Sequence, residues 1–235
     1  MVWIYSSETI GNIGRSERTP TSERPLPETP NQPAHALVSG MAKPLDPVTL
    51  TGKFTRLEPL SRAHLDALAE VAFEPEIFRW FPIRIDARAD LERWVDDAVA
   101  AQAAGTALPF ATVLPDGHRV IGSTRFMNVS VGDGRYEIGS TWIAPSHQRS
   151  AVNTETKYLM LQHAFETLGA RRVELKTHEL NDKSRRAIER LGAQYEGMHR
   201  NHMVMPDGSM RNTVWYSIID SEWPAVKARL AGWLK

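Results

Sequence analysis

The stretch YEIGSTWIAPSHQRSAVNTETKYLMLQHAFETLGARRVELKTHELNDKSRRAIERLG, residues 136–192, decides the fold. It reads as strand, polar loop, helix, strand and a second helix opened by Asn181 and Ser184. The first helix carries Tyr158, Leu161, Phe165 and Leu168 on one face, and Gly169 supplies its stop. RRVELKT (171–177) alternates apolar and polar residues, as a half-buried strand does. Asn181 sits at an N-cap position, and Gly192 ends the second helix. Each helix begins where a polar loop leaves a strand. A helix N-terminus, with free N–H groups and the positive dipole end, is a ready anion site. Two such termini side by side suggest a phosphate-bearing cofactor beside a small set of polar groups.

Outward from this stretch, residues 50–58 read as a strand and Ser61 as the cap of a helix to about Phe73, with Leu65, Leu68 and Ala72 on one face. EIFRWF, between Pro75 and Pro82, reads as a short helical turn. A helix over about 87–104 buries Leu91, Trp94, Val95, Ala98 and Ala101 and stops at Gly105. Strands 109–114, 119–130 and 135–144 form an antiparallel meander, its first hairpin marked by Asp116-Gly117. YEGMHRNHMVM and RNTVWYSII are two more strands, and a last helix runs near 221–234. A meander followed by a βαβα unit predicts an α+β fold: one mixed sheet with helices on both faces. Residues 1–45 are rich in Pro, Ser, Thr, Glu and Arg and read as a disordered or loosely packed extension. Residues 46–235 read as one domain, and Met41 is an alternative start.

The 235 residues are 42% hydrophobic, enough for a sizeable core, and the net charge is zero. That balance argues against a broad nucleic-acid surface. The absence of cysteine excludes disulfides, a thiol nucleophile and cysteine-ligated metal. No apolar run reaches the roughly 18 residues of a membrane span, and MVWIY is too short for a signal-peptide apolar region. A cytoplasmic protein with no membrane partner is expected.

Three elements carry candidate chemistry. The loop Ser146–Val152 offers consecutive N–H groups and Arg149 ahead of a helix that Asn153 or Thr154 is placed to cap, with Glu155 in its first turn. There is no Gly-x-Gly and no Gly-Lys-Ser/Thr, so neither a dinucleotide fingerprint nor a P-loop is present. Asn181 can hold a ligand carbonyl while Ser184 donates a proton, or both can simply cap a helix. Glu137, opposite in parity to Ile138, can act through water as a general base, or it is a solvated strand carboxylate. His199 and His202, three apart in a strand, are expected on opposite faces and lack metal-ligand spacing. No metal is expected, and no Gly-x-Ser-x-Gly elbow points to a serine hydrolase. Lys183, Arg185, Arg186 and Arg190 read as a solvated helix face whose start can meet phosphates.

These stretches, with TRLEPL and NDKSRRAIERLGAQYEGMHRNH, resemble the GNAT-superfamily N-acetyltransferases, Rim-type branch, over about residues 48–222. The resemblance implies an α/β/α-layered fold with a mostly antiparallel, strongly twisted sheet of about seven strands. It implies acetyl-CoA, or another acyl-CoA, as co-substrate and an N-acetyltransferase acting on a primary amine, a protein N-terminus or a small amine, with a homodimer allowed. The pyrophosphate loop maps to Gln148, Arg149, Ser150, Ala151, Val152, Asn153 and Thr154. The family's two glycines are replaced by Ala151 and Asn153, so a modified loop conformation is expected.

The resemblance further implies that backbone groups of Thr141, Trp142 and Ile143 meet the pantetheine arm. Asn181 matches the cofactor-contacting Asn, and Ser184 the hydroxyl that protonates the leaving thiolate. The implied mechanism is direct attack in a ternary complex with Glu137 as base. An α-amine, with a pKa near 8 against about 10.4 for lysine, needs only weak base help. Acceptor-side candidates are Trp80, Phe81, Arg84, His199 and His202. The alternative is a catalytically degenerate binding or sensor module on the same fold.

Overall fold

The computed structural model describes residues 43–115 and 119–235. The expected extension before Lys43 and the Asp116-Gly117 turn lie outside them. Of the last residues assigned to that extension, Leu45 is buried in the main core and the Lys43 N–H donates to the Leu168 carbonyl at 2.9 Å.

Eight strands form one sheet: β1 (Leu50–Thr51), β2 (Arg56–Pro59), β3 (Leu108–Val113), β4 (Val120–Ser130), β5 (Arg135–Ile143), β6 (Arg172–His178), β7 (Gln194–Val204) and β8 (Met210–Ile219). Their order is β1-β2-β3-β4-β5-β6-β8-β7. Every pair is antiparallel except β5–β6, the parallel pair made by a helical crossover. The helices are α1 (Leu65–Ala69), α2 (Arg88–Ala103), α3 (Ala151–Gln162), α4 (Asp182–Leu191) and α5 (Trp223–Trp233). Among the described residues no helix is long and apolar enough to cross a membrane.

Strand β3 shows why the interior divides in two. Leu108 and Phe110 join the core under α3, α4 and α5, with Met160, Leu161, Ile188 and Leu230. Ala111 and Val113 join the other core, under α1 and α2, with Leu68, Leu91, Trp94 and Trp142. Alternate residues of a strand face opposite sides, so one strand feeds both layers. The expected mixed sheet with helices on both faces is what forms.

The eighth strand comes from a break in residues 50–58. The Glu155 carboxylate, on α3, accepts N–H bonds from Lys53, Phe54 and Thr55 at 2.7, 2.6 and 2.7 Å. Charge-assisted bonds of this kind outweigh continued strand pairing. A Cβ on Gly52 would lie 2.3 Å from the Glu155 Cδ, so the turn needs glycine there. EIFRWF forms turns rather than a helix, since so short a segment cannot offset helix nucleation. Ile77 and Phe78 still reach the α1–α2 core.

Candidate active site

The parallel ladder between β5 and β6 is short. It joins Arg135, Tyr136 and Glu137 to Arg172, Val173 and Glu174 and stops there. Beyond it, a cavity of about 1170 Å³ is lined by Ile138–Ile143 from β5 and Leu175, Lys176 and Thr177 from β6. The β5 side carries a bulge: Ser140 and Thr141 together oppose Thr124, and Ser140 takes a positive φ of 46°. A bulge re-aims side chains and interrupts pairing. Thr141, Trp142 and Ile143 all border the opening.

Helix α3 points its N-terminus at this cavity. Its cap is Ser150, whose hydroxyl accepts from the Val152 N–H at 3.3 Å; neither Asn153 nor Thr154 caps it. The helix starts earlier than expected because Ser150 is already extended, with the helix running from Ala151. Ala151 and Asn153 therefore lie in the first helical turn and need no positive φ. The left-handed residue of the loop is Arg149, at φ 59°. Gln148, Arg149, Ser150 and Asn153 line the cavity. Asn153 Oδ1 is buried without a partner. Gln148 donates to the Ile143 carbonyl at 2.8 Å and accepts from Lys183. Val152 and Thr154 turn away: Val152 packs on Ile121 and Ile143, and Thr154 accepts from Arg190 at 2.5 Å. Glu155, expected in the first turn as a dipole partner, is buried against the Lys53–Thr55 turn instead.

Across the opening, Asn181 caps α4 by accepting the Ser184 N–H at 3.1 Å, and both residues line the cavity. Gly192 closes this helix in the left-handed region, φ 101°. The basic run is partly engaged. Arg185 donates to the Tyr216 hydroxyl at 3.2 Å, and Arg190 stacks on Trp233.

Glu137 does point away from the Ile138 core, but it is not solvated: it is 1% exposed. Asn128, itself lifted by a positive φ of 48° in a β4 bulge, donates to its Oε2 at 2.7 Å, and Lys176 Nζ lies 3.0 Å from the same oxygen. Trp80 and Phe81 line the cavity, and the Trp80 ring sits 4.7 Å from His178. Arg84 pairs with Asp86 at the surface, outside the lining. His199 and His202 also stand outside it, and they do not face opposite ways: their rings are 5.3 Å apart beside Trp215. A register shift between His199 and Met203, with Asn201 at φ 48°, breaks the alternation that the spacing assumed. Burial first, then the nearby Lys176, His199 and Arg211 charges, holds His202 below the ordinary histidine value. Among the described residues no group of three or more His, Asp or Glu is arranged to hold a metal ion.

Three cations were not singled out from sequence. Lys157, buried on α3, donates to Thr141 Oγ1 at 2.6 Å, and burial pushes its amine down to about 7. Its signal was a lysine four residues before Leu161 on an apolar stripe. Lys176 and Arg211 lie on β6 and β8, on the Glu137 face, where strand parity alone gives no hint of convergence.

The sequence profile of the acetyltransferase (GNAT) domain family matches residues 55–194. The chain is 31% identical over 117 residues to the Bacillus subtilis protein named "Putative ribosomal N-acetyltransferase YdaF", half of this chain and 62% of that one. The match thus spans less than two thirds of that relative's length. A GCN5-related N-acetyltransferase from Brucella melitensis superposes with a TM-score of 0.77 at 35% identity, covering 83% of this chain and 88% of that one. Mycobacterium smegmatis RimJ, in complex with CoA-disulfide, shares the fold at a TM-score of 0.70 and 23% identity, over 79% and 94% of the chains. These names accord with the Rim-type resemblance. A profile that spans more than half the chain, together with a similar structure matched over most of its length, gives one result: the chain belongs to the GNAT acetyltransferase family.

Proposed function

We propose that this chain transfers an acetyl group from acetyl-CoA to the amine of a protein N-terminus. The observation that carries the reading is the cavity where β5 and β6 part company beneath the α3 N-terminus. A strand edge freed of its partner offers backbone N–H and C=O groups to an extended ligand, and Thr141, Trp142 and Ile143 supply that edge. The α3 N-terminus and the unpartnered Asn153 Oδ1 suit a ligand with anionic and amide groups. RimJ's crystallisation with CoA-disulfide and YdaF's ribosomal name support the donor and the acceptor respectively.

In this reading Arg149, Ser150 and the first turn of α3 hold the pyrophosphate. The donor supplies an activated thioester carbonyl. Asn181 positions the arm, and Ser184, whose hydroxyl has no hydrogen-bond partner among the described residues, gives a proton to the departing thiolate and takes one back from water. Glu137, fixed by Asn128 and Lys176, takes the amine's proton through water on the opposite face. The chain has no cysteine, so an acyl-cysteine enzyme is out of reach, which fits direct attack in a ternary complex. The ribosomal name of YdaF supports a cytoplasmic site of action.

The test is release of free CoA from acetyl-CoA in the presence of short peptides with free N-termini. Turnover with free-N-terminus peptides and none with N-terminally blocked ones is expected. A thermal shift with acetyl-CoA but no turnover on any amine would sink the enzyme reading in favour of a binding module.

A further inference from the structure

On β5, β6 and β8 the cavity lining carries Glu137, Lys176 and Arg211, and Glu74 and Glu76 stand in the same lining, in the segment before Trp80. Glu137 is already paired with Lys176. Arg211, 6% exposed and also in the lining, has no carboxylate partner. Its Nε donates to Thr213 Oγ1 and its NH1 to the Trp80 carbonyl, both at 3.0 Å and both neutral acceptors. These two bonds fix the plane of the guanidinium, and its other NH2 group makes no bond within the described chain. Burial pulls the Arg211 value down, and only the field of Glu137 opposes this. The adjoining imidazoles add no anion. Burial first and then the Arg211 charge lower His178, against the pull of Glu179; burial first and then Lys176, His199 and Arg211 lower His202, against that of Glu137.

A buried, oriented guanidinium without a counter-ion is costly alone and strongly favourable once a carboxylate meets it. We propose that Arg211 anchors a carboxylate on the acceptor, so that the preferred substrates are amines bearing an acidic group a few bonds away. Two sources share that chemistry: a peptide N-terminus with an Asp or Glu side chain beside it, and a free amino acid with its own carboxylate. Lys176 is taken up by Glu137, and Lys157, another lining cation without a carboxylate, is bonded to Thr141 on the α3 side, so Arg211 is the cation placed beside Trp80 to read the acid. Trp80, tied to Arg211 through its carbonyl and packed at a tilt against His178, forms the wall the acceptor passes. This inference rests on the acyltransfer reading above.

The experiment uses the full chain with acetyl-CoA and acceptor pairs differing only as Asp against Asn, or Glu against Gln, next to the N-terminus, together with free glutamate and its amide. The expected result is a kcat/KM at least about tenfold higher for the acidic member, expressed in KM. Preference in the peptide pairs assigns an acidic N-terminus, and preference in the free amino acids alone assigns a small acceptor. Arg211→Gln is expected to collapse the acidic-to-neutral ratio toward one, and Arg211→Lys to keep part of it. A purely structural Arg211 would lower both members alike and leave the ratio unchanged. CoA release at equal rates for acidic and neutral acceptors, or a ratio untouched in both variants, overturns the inference alone. No CoA release with any acceptor overturns the transferase reading and this inference with it.

Discussion

The Lys157 ammonium donates to Thr141 Oγ1 at 2.6 Å, and no carboxylate answers it. The amine sits on α3 and the hydroxyl in the β5 bulge, so one buried contact joins that helix to the strand that borders the opening. Because burial lowers this amine to about 7, the unfolded chain binds a proton there that the folded chain lacks, from about pH 7 up to the ordinary lysine range. Stability therefore rises with pH across that window. The slope from this group is at most about 1.4 kcal/mol per pH unit. Lys157→Met should remove that slope and lose no stability at pH 7, since Thr124 and Thr141 still bond each other at 2.7 Å. Urea unfolding of both proteins at pH 7 and pH 9 measures it; parallel pH dependences would contradict the assignment.

Glu137 and Lys176 form a pair that is expensive to halve. Glu137→Gln leaves Lys176 as an unmatched cation on a largely covered surface, with an expected loss of about 3–5 kcal/mol. The double variant Glu137→Gln/Lys176→Met should recover much of that loss. A double-mutant cycle by chemical denaturation reads the coupling, and additive losses would show the two side chains to be independent.

Asn181 has a structural duty that is separable from any ligand contact. Asn181→Ala removes the cap of α4 and should cost about 1 kcal/mol in the ligand-free protein. Asn181→Asp, which still accepts the Ser184 N–H, should keep that stability. Equal destabilisation of the two variants in thermal melts would argue against capping.

Glu155 holds three backbone N–H groups at once. Glu155→Gln converts two acceptor oxygens into one and should destabilise the protein by about 1.5–3 kcal/mol. The effect should be greatest in amide exchange of Lys53, Phe54 and Thr55; unchanged protection there would disprove the assignment.

Sequence periodicity carried most of the fold. The stripe Leu91, Trp94, Val95, Ala98 was legible as a buried helix face, and the Asn181 cap and Gly192 stop bounded α4. What stayed hidden was long-range or irregular. Nothing near Gly52 announces a carboxylate a hundred residues on. Bulges erase the parity that placed His199 and His202 apart; Asn128 and Asn201 are of a type that tolerates the left-handed region, but the type alone does not mark a bulge, and Ser140 carries no such signal. Of the motif residues, Thr141, Trp142, Ile143, Gln148, Arg149, Ser150, Asn153, Asn181 and Ser184 line one cavity. Lys157, Lys176 and Arg211 were missed because a lone cation in a strand or helix has no pattern, and only the folded chain shows which of them lacks an anion.

The ladder from Arg135–Glu137 to Arg172–Glu174 is the seam along which the two halves of the sheet meet. Beyond it the two strands diverge along the cavity and make no further rungs. An extended ligand seated in that cavity would add rungs where the strands stop pairing, so the occupant completes the sheet as a missing strand. Amides of Ile138–Ile143 and Leu175–His178 should then exchange more slowly with acetyl-CoA bound. Ligand at about a hundred times its Kd would add about 2.7 kcal/mol of stability. The stability of the fold would thus follow ligand concentration.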